Sequence, residues 1–388
     1  MRQTTLFSHL CHYCYELFMK QIQTITIVGA RPQFVKAAMV SRAIVNHNRN
    51  NNLVVEECLL HTGQHYDYNM NDVFFEKLDI PQPTWILDCG RGRHGAMTAR
   101  MLIEIEQVLL ENRPDYVMVY GDTNSTLAGA LAASKLHIPV LHVEAGMRSF
   151  NKLMPEEINR VLTDHISDYL FCSTYAAVRN LKQEGITERV HHVGDVMYDA
   201  ALAFGEIAEQ TSTILSSLQL TAKQYYLCTV HRAENTDNKE RISQIMEALA
   251  EIARKDCPVI LPLHPRTRKL MDNWHLCHET ESNKAFRFIE PVDYLDMIML
   301  EKYAKTILTD SGGIQKEAYF HRTPCITLRD ETEWVETIAS GWNQIAGYRK
   351  ENILSCLTNK MPQTEIDEYG DGHAADTIIH ALFEPLSF

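Results

Sequence analysis

The sequence predicts an α/β protein of two halves, each built on a buried parallel sheet. Three observations carry that reading. Short β-branched runs alternate with longer amphipathic stretches, the signature of strand, helix, strand units. The runs are continuously apolar, as strands covered on both faces are. The pattern then restarts near residue 225, so the chain of 388 residues divides into two comparable cores.

The elements follow in order. The opening MRQTTLFSHLCHYCYELF precedes the first strand-like run and is set aside as an N-terminal appendage over 1–20. In the first half QTITIVG leads into QFVKAAMVSRAI, DYVMVYG leads into STLAGALAASKL, and PVLHVEAG follows. In the second half YYLCTVH leads into ERISQIMEALAEIARK, then PVILPLH, then KTILTD into GIQKEAYFH. Domains are drawn at 21–195 and 196–365, with the Ser/Thr-rich helical stretch 200–222 at the join. AADTIIHALFEPL reads as a closing helix within 366–388 that packs back on the body. There is no low-complexity tract and no solenoid repeat.

Composition narrows the function. Lys and Arg number 37 against 50 Asp and Glu, a formal charge of −13, so a nucleic acid phosphate backbone meets overall repulsion. An anionic small molecule stays open, because a local basic pocket inverts the global sign. The 10 cysteines are dispersed, mostly inside apolar runs, which suggests a reducing cytoplasm. No run approaches a membrane-spanning length, and the first 20 residues lack the features of a secretory signal, so a cytoplasmic protein with no membrane partner is expected. Cys11 and Cys14 lack the further ligands of a zinc site, and no metal is expected.

Chemistry is read from the strand ends, because ligands of open α/β sheets bind beyond the carboxyl ends of the strands. Those ends are polar: Arg31, Asp122, Glu144, His231, His264 and Asp310. Any one of them is explained as a cap or a turn. Six together, with carboxylates in the first half and imidazoles in the second, suit an acid/base site in a cleft between the halves. The run from Asp310 to Glu317 sets Ser311, Gly312 and Gly313 at a strand-to-helix turn, where backbone N–H groups approach phosphate oxygens and Glu317 reaches a ribose diol. A plain helix cap by Ser311 or Asp310 is the alternative. Arg31 and Lys36 face the same mouth to neutralise a diphosphate, or are solvated at the surface. Gly90-Arg-Gly-Arg-His-Gly95 matches a dinucleotide fingerprint, but it follows a later strand and carries bulky basic residues, which argues against NAD. Metalloprotease, P-loop and nucleophile-elbow patterns are absent.

VGARPQFVK, GDTNSTLAGALAA, HVEAGMRSF with MPEEINR, TVHRAEN and LTDSGGIQKEA together resemble the non-hydrolysing UDP-N-acetylglucosamine 2-epimerase family over about residues 22–350. The resemblance implies a GT-B type architecture, two Rossmann-like doubly wound domains with the active site in the interdomain cleft, and a homodimer. It implies inversion at C2 of a UDP-2-acetamido sugar, by elimination of UDP to a 2-acetamidoglucal and re-addition, with no cofactor. By motif, Arg31, Lys36, Asp122, Glu144, Glu156 and His231 match the catalytic set. Asp122 and Glu144 exchange the C2 proton, Glu156 orders the site, and His231 with Arg31 and Lys36 stabilises or protonates the departing diphosphate. For UDP the matching positions are Ser311, Gly312, Gly313 and Glu317, with Arg232, His264, Pro291 and Tyr294 lining the nucleotide.

Two departures bear on the substrate. Trp334-Val-Glu336 stands where the N-acetylglucosamine enzymes have Arg-Pro-Glu, and HPRTRK at 264–269 is more basic than their loop. Both resemble the branch acting on UDP-2,3-diacetamido-2,3-dideoxyglucuronate, whose carboxylate would use Arg266 or Arg268. Gln64 and His65 match part of the pocket where some members bind a second, activating substrate, but GRGRHG replaces the rest of that pocket. A GT-B glycosyltransferase, in which the HVEAG and PEE carboxylates have no necessary role, and a sugar-nucleotide sensor, against which the intact candidates at every acid/base position argue, are the alternatives.

Overall fold

A computed structural model describes residues 21–51, 53–64, 81–263, 265–274, 285–359 and 363–383. The appendage, His65 and His264 lie outside the described residues. The chain divides into two compact units: residues up to Ala200 together with those from Glu368 onward, and Ala201–Asp367.

In the first unit seven strands form one parallel sheet: β1 (Gln21–Val28), β2 (Val54–His61), β3 (Trp85–Ile86), β4 (Tyr116–Tyr120), β5 (Val140–Val143), β6 (Tyr169–Cys172) and β7 (Val190–His192), ordered 3-2-1-4-5-6-7. The order reverses between β1 and β4, which makes that junction the topological switch point. Helices α1 (Arg31–Asn50), α2 (His94–Asn112), α3 (Asn124–Lys135), α4 (Pro155–Ile166) and α5 (Tyr175–Gln183) supply crossovers. Helix α2 buries Met97, Met101, Ile105, Val108 and Leu109, one face at helical spacing. Helix α3 is rich in Ala and Gly because it lies close on the sheet: a Cβ at Gly129 would come 2.8 Å from Ile27 Cδ1 and 3.2 Å from Val119 Cγ1. The closing helix Ala374–Ala381 packs on α1, with Asp199 accepting from Ala374 N at 3.1 Å and Ala375 N at 2.7 Å.

The second unit repeats the plan with six parallel strands: β8 (Tyr226–Thr229), β9 (Val259–Pro262), β10 (Phe286–Ile289), β11 (Thr306–Thr309), β12 (Cys325–Thr327) and β13 (Asn343–Ile345), ordered 10-9-8-11-12-13. Successive residues point to opposite faces and both faces are covered. Tyr226 and Cys228 join a cluster with Ile245, Leu249 and Leu261, while Leu227 joins one with Ile260, Leu300 and Ile307. That double burial explains the continuous apolar runs. The switch point here lies between β8 and β11, whose ends carry His231 and Asp310. Their helices include α6 (Tyr294–Tyr303), α7 (Gly312–Phe320) and the short α8 (Val335–Ala339).

Among the described residues the cysteines are free thiols, and no helix is long and apolar enough to cross a membrane. The Gly90–Gly95 run follows β3 at the sheet edge, away from the switch point; a Cβ at Gly95 would meet nothing within 4 Å, so its third glycine makes no close approach.

Candidate active site

In the first unit the ends of β1, β4 and β5 gather a cluster of charge. Lys36, one turn into α1 and 8% exposed, pairs with Glu144. That burial excludes the solvated reading of Lys36. A Cβ at Gly121 would sit 3.5 Å from Lys36 Nζ, so the ammonium also reaches the turn that carries Asp122. Asp122 in turn pairs with Arg160 of α4, a residue the sequence reading passed over. Arg160 Nη1 lies 3.4 Å from Glu157 Oε2, and Asn159 Nδ2 donates to the Asp122 carbonyl at 3.0 Å. Two cations thus interleave three carboxylates.

The backbone is shaped for this display. Glu144 has φ +69°, left-handed for a residue with a Cβ, a conformation that costs of order 1–3 kcal/mol and that clusters at functional sites. It is held there by hydrogen bonds from Glu144 N and Ala145 N to the Phe171 carbonyl, both 3.0 Å. At Gly29 a side chain would collide with Ser125 Oγ and Thr62 Oγ1, so only glycine passes. Gln33 ties the β1 turn to β4: its carbonyl accepts from Gly29 N at 2.8 Å and Ala30 N at 3.0 Å, and its amide donates to the Tyr120 carbonyl at 2.8 Å.

Beneath the two carboxylates runs a buried ionic network. His142 of β5, with no exposed surface, sets Nδ1 2.7 Å from Asp164 Oδ1 and Nε2 2.7 Å from the Gly121 carbonyl. A carbonyl only accepts, so Nε2 donates to Gly121, and the ring's other nitrogen is held against the Asp164 carboxyl. Burial would push Asp164 up, but the hydrogen bond and charge of His142, with Arg148, outweigh it and hold the carboxyl below its ordinary range. Arg148 Nη1 donates to Asp164 Oδ2 at 2.6 Å, and Gly146 N does so at 3.1 Å. One network therefore fixes the residue before Asp122 and the turn after Glu144.

Burial pushes the Asp122 carboxyl up, Arg160 pulls it down, Glu144 adds to the rise and Lys36 opposes it; the net direction is upward. Asp122 thus holds a proton more readily than a free aspartate. Glu156, the second residue of α4, is partly exposed, while its neighbour Glu157 is 3% exposed and occupied by Ser149 N, Ser149 Oγ and Phe150 N, each at 2.9 Å. Arg31 is the first residue of α1. Gln64 accepts from Ser125 N at 3.0 Å and Ser125 Oγ at 2.7 Å, which fastens it to the first turn of α3.

In the second unit the fully buried Asp310 is the hub. It accepts from His231 N at 3.1 Å, Arg232 N at 3.1 Å and Asn235 Nδ2 at 3.1 Å, fixing the turn after β8, and His231 Nδ1 lies 3.4 Å away with the ring half exposed. Ser311 caps α7, its Oγ accepting from Ile314 N at 3.5 Å, so the capping reading of Ser311 holds whatever else the turn does. Gly312 and Gly313 form the first turn of that helix, where N–H groups point out of the helix end. Glu317, on the second turn, is 9% exposed; behind it burial, with the charge of Glu317 added, holds the Glu301 carboxyl far above the carboxylate range. Tyr294 opens α6 and packs edge-on against Phe204, and Pro291 is exposed. Arg268 lies over the Phe288 ring at 5.5 Å.

Comparison with known proteins comes to the same chemistry. The family model described as UDP-N-acetylglucosamine 2-epimerase matches residues 47–383. A protein of Methanococcus maripaludis named UDP-N-acetylglucosamine 2-epimerase homolog is 51% identical over 93% of this chain and 99% of its own. The UDP-2,3-diacetamido-2,3-dideoxy-D-glucuronate 2-epimerase of Pseudomonas aeruginosa is 49% identical over 93% of this chain and 99% of its own. Among solved structures, the Methanocaldococcus jannaschii UDP-GlcNAc 2-epimerase in complex with UDP-GlcNAc and UDP matches with a TM-score of 0.83 at 45% identity, covering 93% of this chain and 99% of that one.

Proposed function

The chain belongs to the UDP-N-acetylglucosamine 2-epimerase family and is a sugar-nucleotide 2-epimerase of GT-B type fold, and on that premise we propose how its residues divide the reaction. The substrate is UDP-N-acetylglucosamine and the product its manno isomer. The C2 hydrogen of a 2-acetamido sugar has no neighbouring carbonyl to acidify it, so its removal is coupled to loss of UDP from C1, giving 2-acetamidoglucal. Re-addition of UDP with protonation from the other face completes the inversion, and the site must retain both fragments meanwhile.

The observation that carries this reading is the pair of carboxylates, Asp122 and Glu144, displayed from adjacent strand ends and each matched by its own cation. Glu144, paired with Lys36, is the base that takes the C2 proton. Asp122, whose carboxyl is pushed up, is the acid that returns one. Glu156 orders the sugar. In the second unit the Ser311–Gly313 turn carries the diphosphate and Glu317 the ribose, with Arg232, Pro291 and Tyr294 beside the nucleotide, while His231, steadied by Asp310, attends the leaving phosphate with Arg31 and Lys36.

Incubation with UDP-N-acetylglucosamine in deuterated water tests the assignment. The wild-type enzyme places deuterium at C2 and forms the manno isomer; Glu144→Gln loses both by about 10²–10⁴-fold, the range for a general base. A variant that still exchanged C2 at the full rate would remove Glu144 from proton transfer. The 49% identity to the diacetamido-glucuronate epimerase, with Trp334-Val-Glu336, favours a second reading in which the sugar is the 2,3-diacetamido uronate. The two nucleotides run side by side in the same assay choose between them by kcat/KM.

A further inference from the structure

The loop that follows β12 folds over the first turn of α7. Thr332 Oγ1 donates to Gln315 Oε1 at 2.6 Å and receives Trp334 N at 3.1 Å, and Arg329 Nη1 holds Glu333 Oε2 at 3.0 Å. These bonds set two side chains over Gly312. A Cβ there would collide with Glu333 Oε1 and come 3.5 Å from Trp334 Nε1. Gly312 is therefore required by what stands above it as well as by the helix end.

Trp334 is 4% exposed, and its ring lies under the Lys316 ammonium at 4.0 Å, so the indole is fixed in place. Among the described residues its buried Nε1–H has no hydrogen-bond partner. Indole is a donor only, and a buried donor lacking an acceptor is a standing cost that native folds rarely carry without a use. Glu333 has an oxygen on the same face but does not accept from it. A helix N-terminus alone is an unselective feature; a buried donor lacking a partner, its nitrogen 3.5 Å from where a Cβ on Gly312 would sit, is a second, independent pointer to an acceptor that arrives from outside the chain.

We propose that the Trp334 indole N–H is a ligand-binding donor, reaching an oxygen of the diphosphate held on the Ser311–Gly313 turn. The inference rests on the nucleotide assignment made above and adds to it a residue that the motif comparison treated only as a departure. The chemistry favours an anionic acceptor: a hydrogen bond from a buried neutral donor to a phosphate oxygen is of the stronger, charge-assisted kind. Trp334 and Lys316 then act together, the cation adding its field and the ring its fixed geometry.

The test is calorimetric titration of the full chain and its Trp334→Phe variant with UDP and with uridine. Phe keeps an aromatic face for Lys316, is smaller than the indole, and has no N–H. The expected result is a loss of about tenfold or more in affinity for UDP, the scale for a hydrogen bond to a charged group, with uridine affinity unchanged. Equal UDP affinity in the two proteins, or a matching loss for uridine, overturns the proposal. If the Phe variant fails to fold, wild-type protein with ¹⁵N-labelled indoles decides: one of its 4 indole N–H resonances moves with UDP and not with uridine, and no such movement overturns the proposal. A wild-type chain that binds no UDP at all would instead sink the nucleotide site itself, which is a different failure.

Discussion

Arg160 sets the proton affinity of Asp122. Its guanidinium is the largest force pulling the Asp122 carboxyl down against burial. Its removal leaves burial and the Glu144 charge to act with only Lys36 opposing. The sign follows directly: without the cation the protonated form gains, so the Asp122 pKa rises. In Arg160→Gln the alkaline limb of the pH profile of kcat/KM, where Asp122 loses the proton it must donate, should move up by about one pH unit or more, the effect of losing an adjacent opposite charge. A profile that only dropped in height, with its limb in place, would show that Arg160 supports the fold and not the titration of Asp122. The residue stands in plain sight in MPEEINR, yet the motif drew attention to Glu156 because a carboxylate has an obvious chemical task. What makes Arg160 legible is its spacing from Glu157, i and i+3, which puts both on one helix face.

Helix α4 shows why that face was hard to read. Its buried residues are Glu157, Asn159, Arg160, Thr163 and Asp164, while Ile158 and Leu162 are 49% and 48% exposed. The amphipathic rule places the apolar stripe inward; here the polar stripe faces in, because it must meet Asp122, His142 and Arg148. The inversion is itself the signal of a site, and the strand ends were legible for a simpler reason, since β4 and β5 are buried on both faces and any charge at their tips is conspicuous. His142 was missed because a histidine inside an apolar strand reads as core. The element also predicts a stability effect. Asp164→Asn leaves the buried His142 and Arg148 with a neutral partner, and breaking a buried ion network in this way costs about 3–5 kcal/mol. Urea unfolding followed by circular dichroism measures it, and a change below about 1 kcal/mol, the range of a surface substitution, would mean the network is not ionised as its geometry requires.

Across the whole molecule the same sheet plan occurs twice with different residues at the switch points, the ion-paired Asp122 and Glu144 in one unit and the Asp310 hub with the Ser311–Gly313 turn in the other. The buried parallel strands were legible because continuous apolar runs announce themselves and Asp310 was legible as a strand end, whereas the strand order and the hydrogen bonds by which Gln33 and Asp310 fix their turns leave no pattern in sequence. Each unit also buries a neutral histidine. In the first, burial brings His61 down to about 4, and its Nδ1 accepts from Gly63 N at 2.8 Å. In the second, burial, with Lys302 and Lys223 adding repulsion, brings His321 down to about 3. Both folded values lie below the ordinary 6.5, so the unfolded chain binds protons that the folded chain refuses. The stability each neutral ring confers is complete above pH 6.5 and declines as the pH falls toward its folded value. By pH 5 each histidine has withdrawn about 2 kcal/mol. Urea melts at pH 7.5 and pH 5 should therefore show both units weakened, and His321→Gln should flatten the dependence of the second unit while leaving that of the first. An unchanged slope in that variant would mean that His321 takes up its proton at the same pH in the folded and the unfolded chain, so that its burial beside Lys302 and Lys223 carries no pH-dependent stability.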